Sequence, residues 1–272
     1  MNQPDISIGR SLRDWWKRER AAAGRWATAR KLAHVGWEFL RDSLPERRRR
    51  RYGDVDYDWE FRVNTTSATV GWRTRLLGLL HSPYQPIEPE LFRHIINSLG
   101  IDFSRFTFLD IGSGKGRALL LAAQYPFRRV MGIELLPELN SVAEENIRKF
   151  SSEKRACREI HAFCRDASEF SFPAEPLLIL LFNPLPEAGL RKLVGNLEAS
   201  LREIPRPAYL IYVNPVFEEI LSSNSRFTKM SGTHQYSVFR NANAGSNGHA
   251  ETPTGTRSLT WTDRRFKSSE GT

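Results

Sequence analysis

The chain is poor in cysteine: Cys157 and Cys164 are the two among 272 residues. That excludes a disulfide-stapled secreted scaffold and fits a reducing cytoplasm. The six histidines are dispersed, with no H-E-x-x-H or comparable spacing, so metal catalysis has no support. No apolar run approaches the roughly 20 residues that span a bilayer, and no signal-peptide h-region is present. Acidic residues are scarce at one end. Residues 1–52 hold fourteen Lys or Arg against six Asp or Glu, a balance of +8, while the whole chain carries +9. Residues 53–272 are therefore nearly neutral. Beyond Asn241 the chain is short of apolar residues and rich in Gly, Ser, Thr and Asn, a composition that predicts disorder. Three parts follow: a basic helical extension over 1–53, a folded unit over 54–240, and a polar tail over 241–272.

What is present is concentrated in one stretch, Phe106-Thr-Phe-Leu-Asp-Ile-Gly-Ser-Gly-Lys-Gly-Arg117. A short aromatic and β-branched run reads as a buried strand, and the Ala-Leu-Leu-Leu-Ala-Ala that follows favours helix. The glycines thus sit in a strand-to-helix turn, where bare backbone and helix-start amides can meet an anionic ligand. A Walker loop needs G-K-[ST], and here Gly116 follows Lys115. A dinucleotide fingerprint needs glycine at 117, which is Arg.

The remaining form, acid-x-G-x-G-x-G, resembles the S-adenosylmethionine loop of class I methyltransferases. Spacing beyond it agrees. Arg129-Val-Met-Gly-Ile-Glu134 is a second strand ending in an acid about twenty residues on, placed to accept from both hydroxyls of a ribose. Glu159-Ile-His-Ala-Phe-Cys164 leads to Asp166 and Ala167, the family position for the adenine amino group and a ring nitrogen. Leu177-Leu-Ile-Leu-Leu-Phe182 is apolar throughout, like a central strand covered on both faces. It ends in Asn183-Pro184-Leu185-Pro186, similar to a degraded form of the N-P-P-Y motif of enzymes that methylate amino nitrogens. Leu185 and Pro186 replace the second proline and the base-stacking aromatic, which argues against DNA bases as acceptor. An aromatic-x-Pro at Tyr84 and Pro86, before the amphipathic helix from Pro89, resembles a segment that closes over the cofactor in related lysine methyltransferases.

The resemblance, to a bacterial group with unassigned acceptor, implies a doubly wound seven-strand α/β sheet, mostly parallel and Rossmann-like. Strands are expected near 106–111, 129–134, 159–164, 177–182, 208–213, 226–231 and 235–240, the last two as a hairpin around Gly232. It implies cofactor contacts at Asp110, Gly112, Ser113, Gly114, Gly116, Glu134, Leu135, Asp166, Ala167 and Asn183. Asn183, Pro184 and Tyr84 are the expected catalytic positions, and no metal is implied. Asn214-Pro215, after the fifth strand, is a further candidate for the acceptor pocket. Lys115 and Arg117 flank the loop; one of them is expected to face solvent, and neither is assigned a role. The implied reaction is methyl transfer to an amine of a protein or small molecule. An RNA methyltransferase and a non-catalytic binding module are the competing readings.

The basic extension predicts one or two helices, over about 9–22 and 24–43, with Trp15, Trp16, Trp26 and Trp37 among arginines, then the run Arg47 to Arg51. Three readings of it stand open: an anionic membrane surface, a polyanion such as nucleic acid, or indoles packed on the core with solvated arginines.

Overall fold

The computed structural model describes residues 7–41, 55–66, 70, 71, 73, 74, 76, 77, 84–153, 155–182 and 185–242. The Arg47–Arg51 run and the tail beyond 242 lie outside the described residues. Seven strands form one sheet: β1 (Thr107–Ile111), β2 (Arg129–Glu134), β3 (Ile160–Cys164), β4 (Leu177–Phe182), β5 (Ala208–Val213), β6 (Phe227–Gly232) and β7 (Tyr236–Asn241). Their order is β3-β2-β1-β4-β5-β7-β6. Strands β1 to β5 are parallel, and β7 runs antiparallel between β5 and β6. This is the doubly wound, mostly parallel architecture expected for the class I methyltransferase fold. Observed strand ends differ from the expected ones by one residue at most.

The helices are α1 (Ile8–Arg41), α2 (Val55–Phe61), α3 (Pro89–Asn97), α4 (Arg117–Ala122), α5 (Pro137–Lys149), α6 (Glu187–Glu203) and α7 (Glu219–Ser222). Alternate residues of each central strand enter opposite cores, as the two-residue period of a strand requires. Phe108, Val130, Leu178 and Leu180 join Phe92, Ile95 and Ile96 of α3 and the leucines of α4 on one face. Leu109, Ile111, Ile179 and Leu181 meet Leu190, Leu193, Val194 and Leu197 of α6 on the other. Buried on both sides, β4 has no polar alternation to show, which is why it reads as an unbroken apolar run. The strand order reverses between β1 and β4. A crevice opens at that point, beyond the carboxyl ends of the strands.

Helix α1 is broken at Gly24, whose φ of 79° and ψ of 169° lie outside helical space. Lys31 Nζ reaches back to Glu19 Oε2 at 2.7 Å, linking the two halves across the break. Two helices thus meet at Gly24. Trp15 is buried, 5% exposed, whereas Trp26 and Trp37 stand 90% and 62% exposed. The packed-indole reading therefore holds for Trp15 and fails for Trp26 and Trp37.

Candidate functional site

Chain leaving β1 is pinned to the end of β2: the N–H groups of Gly112 and Ser113 both donate to Ile133 O, at 2.8 and 3.0 Å. Gly116 N donates to Ser113 O at 2.8 Å, closing the turn, and α4 begins at Arg117. At Gly114 the φ is 54°, and a Cβ there would lie 2.2 Å from Tyr84 Cε2. Tyr84 thus lies flat on backbone that only glycine leaves bare. Gly132, in the middle of β2, serves the same packing from below. A Cβ on it would come within 2.7 Å of both Ser113 Oγ and Leu119 Cδ1. Sequence reasoning passed over Gly132. Its signal was a lone glycine inside an apolar strand, which marks a close approach.

Glu134 ends β2 with both carboxylate oxygens held: Oε2 accepts from Gly114 N and Oε1 from Leu136 N, each at 2.8 Å. Each oxygen keeps a further lone pair for a ligand. Burial pushes the Glu134 carboxyl up, and the amides of Leu136 and Gly114 pull it back. Asp110, buried at the end of β1, is raised to about 8, first by burial and then by the Glu134 charge. Lys115 is lowered to about 8, chiefly by burial, with Asp58 opposing.

These shifts act on stability in opposite windows. Between the unfolded pKa near 4 and about 8, the folded state holds a proton on Asp110 that the unfolded chain has lost, so stability falls as pH rises. Between about 8 and the unfolded lysine value near 10.4, the unfolded chain holds the extra proton on Lys115, so stability rises with pH. The ligand-free protein is expected to be least stable near pH 8, with limbs of about 1.4 kcal/mol per pH unit at their steepest. Urea unfolding from pH 6 to 10 reads this directly. Asp110→Asn should flatten the lower limb and leave the upper one; an unchanged lower limb would show that Asp110 is not its source.

The crevice, about 890 Å³, is lined by Gly112, Glu134, Leu135, Asp166, Ala167, Phe182, Leu185 and Pro186, with Tyr84 and Gln85 across from them. A smaller part of about 290 Å³ adjoins it, bounded by Asp110, Gly112, Ser113, Arg117 and again Tyr84, Gln85 and Phe182. Asp110, Gly112, Ser113, Glu134, Leu135, Asp166, Ala167 and Tyr84 are thereby brought to one place. Gly114 shapes the floor beneath Tyr84. Gly116 is not on the crevice: a Cβ on it would lie 3.2 Å from Ala143 Cβ, so its role is to let α4 and α5 meet. Asp166 caps the turn Ala167–Glu169, accepting from Ser168 N at 2.8 Å, and its side chain is exposed. The Tyr84 hydroxyl donates to Thr65 O at 2.6 Å, which commits it to the protein. Asn183 and Pro184 lie outside the described residues, between Phe182 and Leu185. Asn214 is exposed at the end of β5 with φ 49°, and it lines neither part of the crevice.

The expectation for Lys115 and Arg117 is corrected. Neither faces solvent: they are 2% and 1% exposed. Lys115 Nζ donates to Thr66 O at 2.8 Å and to Asn64 Oδ1 at 3.1 Å. Arg117 Nε donates to Thr65 Oγ1 at 2.7 Å, and its guanidinium lies 3.4 Å from Asp58 Oδ1 and over the Tyr57 ring. Asp58 in turn accepts from the Thr65 hydroxyl and from the N–H groups of Thr65 and Thr66. Asn146 of α5 completes the arrangement, accepting from Asn64 N and donating to Asn64 O and Lys115 O. A strap of residues 63–66 is thus bolted to the glycine turn by two buried cations, one of which sequence reasoning expected to face solvent.

No family model matches the chain, and no curated protein does. Among solved structures it is similar to the StiE O-MT segment, at 23% identity over 52% of each chain and a TM-score of 0.37. It is also similar to the ribosomal protein L11 methylase from Lactobacillus delbrueckii subsp. bulgaricus, at 16% identity over 58% of this chain and 79% of that one, TM-score 0.41. A third is the glycopeptide N-methyltransferase MtfA complexed with sinefungin, at 13% identity over 58% and 87%, TM-score 0.40. The chain spans about half the length of the first of these.

Proposed function

We propose that this chain is an S-adenosylmethionine-dependent methyltransferase whose acceptor is an amino nitrogen of a protein or small molecule. One juxtaposition carries the reading: the Glu134 carboxylate, held 2.8 Å from the Gly114 amide, stands beside a bare-backbone turn at the strand-order reversal. The residues present suit the cofactor. Ser113 Oγ is buried beside the smaller part of the crevice without a hydrogen-bond partner among the described residues. Glu134 has acceptor capacity left for ribose hydroxyls, and the capped Asp166 with Ala167 is placed for an adenine edge. Asp110 and Ser113, which line the smaller part of the crevice, are assigned to the methionine end.

The bound cofactor supplies a methyl carbon already activated on a positively charged sulfur. The protein therefore needs no covalent nucleophile, and its work is positioning and exclusion of water. Tyr84 does that work with its ring, as a wall over Gly114, because its hydroxyl is engaged by Thr65. Asn183 and Pro184, following β4, are assigned to accept the N–H groups of the amine and orient its lone pair.

Calorimetry with S-adenosylmethionine tests the first part. Wild-type protein should bind, and Glu134→Ala should weaken binding severely; intact protein that binds none would end the proposal. Asn183→Ala tests the second. It should leave cofactor affinity unchanged and lower the transfer rate about a hundredfold, the usual cost of one oriented hydrogen-bonding group. Tritiated donor with host lysate, fractionated into protein, RNA and small molecules, provides the readout. Label confined to RNA would replace the amine acceptor with the RNA reading.

A further inference from the structure

Beyond Gly24, α1 turns to solvent a stripe that the crevice does not use. Trp26, Ala29, Arg30, Ala33, Trp37 and Leu40 recur at helical spacing and all are exposed. Trp26 is 90%, Trp37 62% and Leu40 64% exposed. The opposite side is already covered: Thr28 is buried, and Ala27, Leu32, Val35 and Phe39 are half-buried. An ordinary surface helix has one apolar face against the protein and a polar face to water. This one carries large apolar side chains on both, with Arg30 within the outward face and Arg25 exposed beside it.

A contiguous apolar patch with a charged rim marks an interaction surface. The balance of +8 over residues 1–52 makes the partner anionic. Nucleic acid and an anionic bilayer both satisfy that, and the rest of the stripe separates them. Phosphates would take the arginines, and bases would stack on the indoles. Leu40, Ala29 and Ala33, in the same row, have nothing to offer either group. A headgroup layer accepts indoles, leucine and arginine together, with the apolar side sunk at the acyl boundary. No helix among the described residues is long and apolar enough to cross a membrane. We propose that α1 beyond Gly24 is an interfacial anchor that lies flat on an anionic lipid surface. The break at Gly24 separates this anchor from the first half of α1, where Ile8 packs beside Leu77, Leu136 and Leu139 near the crevice.

The test uses the full chain and does not depend on the methyl-transfer reading. Protein is floated with vesicles of phosphatidylcholine alone or with phosphatidylglycerol added. It should associate with the anionic vesicles, lose association as salt is raised, and shift its tryptophan emission to the blue. The Trp26→Ala/Trp37→Ala pair should lose about tenfold in partitioning per indole, with its unfolding midpoint unchanged because both side chains are exposed. Absent or equal association with the two vesicle types overturns the anchor, as does a double variant that binds like wild type. Tighter binding to a single-stranded RNA oligonucleotide with the same dependence on Trp26 and Trp37 overturns it in favour of nucleic acid. A lipid-free dimer abolished by the same pair overturns it in favour of self-association.

Discussion

Gly114→Val should abolish measurable binding of S-adenosylmethionine, raising Kd at least about a hundredfold. Two costs coincide at this position. The backbone is left-handed, with φ 54°, which a β-branched residue adopts only under strain. The first side-chain atom would also lie 2.2 Å from the Tyr84 ring, and that ring is tied through its hydroxyl to Thr65. Either Tyr84 is expelled from the crevice or the turn is lifted away from Glu134. Gly100 separates the two costs, because its φ is 60° yet nothing lies within 4 Å of its would-be Cβ. Gly100→Val should cost stability, about 1 kcal/mol or more, and leave cofactor affinity at the wild-type value. Equal loss of binding in both variants would mean that the Tyr84 contact has no part in the effect.

Asp58→Ala should be strongly destabilising, at roughly 3–5 kcal/mol in urea unfolding. The carboxylate compensates the Arg117 guanidinium and takes up the N–H groups of Thr65 and Thr66. Truncation removes a carboxylate that faces a cation only 1% exposed, and takes three hydrogen-bond acceptor contacts with it. A buried pair is weak evidence for stability in itself, since both charges are costly to desolvate. The informative comparison is therefore the double replacement. Asp58→Leu with Arg117→Met should be less destabilised than Asp58→Leu alone, because the buried cation is gone. Should the double variant simply sum the two single effects, the interaction between residues 58 and 117 is not what the loss reports.

The parts of the fold that were legible from the sequence owe it to local chemistry. β1, β2 and β4 are apolar runs stopped by glycine, acid or proline, so both their extent and their ends are written in neighbouring residues. Glu134 could be placed against the glycine turn because the doubly wound connection fixes where β2 must end. Lys115 and Arg117 could not, since charged residues beside a turn are ordinarily solvated and their partners lie about fifty residues upstream. Nothing near Asp58 in sequence indicates that its carboxylate faces an arginine of α4. Tyr84 was placed correctly at the crevice, but its hydroxyl contact with Thr65 depends on the same strap and was equally hidden. Trp15 and Trp26 look alike in the sequence, and only the packing of α1 distinguishes them.

The strap also imposes an order of events on a ribosome. Asn64 cannot make its contacts until Asn146 has been synthesised, 82 residues later. At roughly 5–20 residues per second, that is a wait of about 4–16 s. Through that interval Asp58, Thr65 and Thr66 have emerged while the cationic side chains and α5 that will hold them are still being made. Residues 58–66 therefore wait for α4 and α5 before they can dock, although they are translated ahead of both.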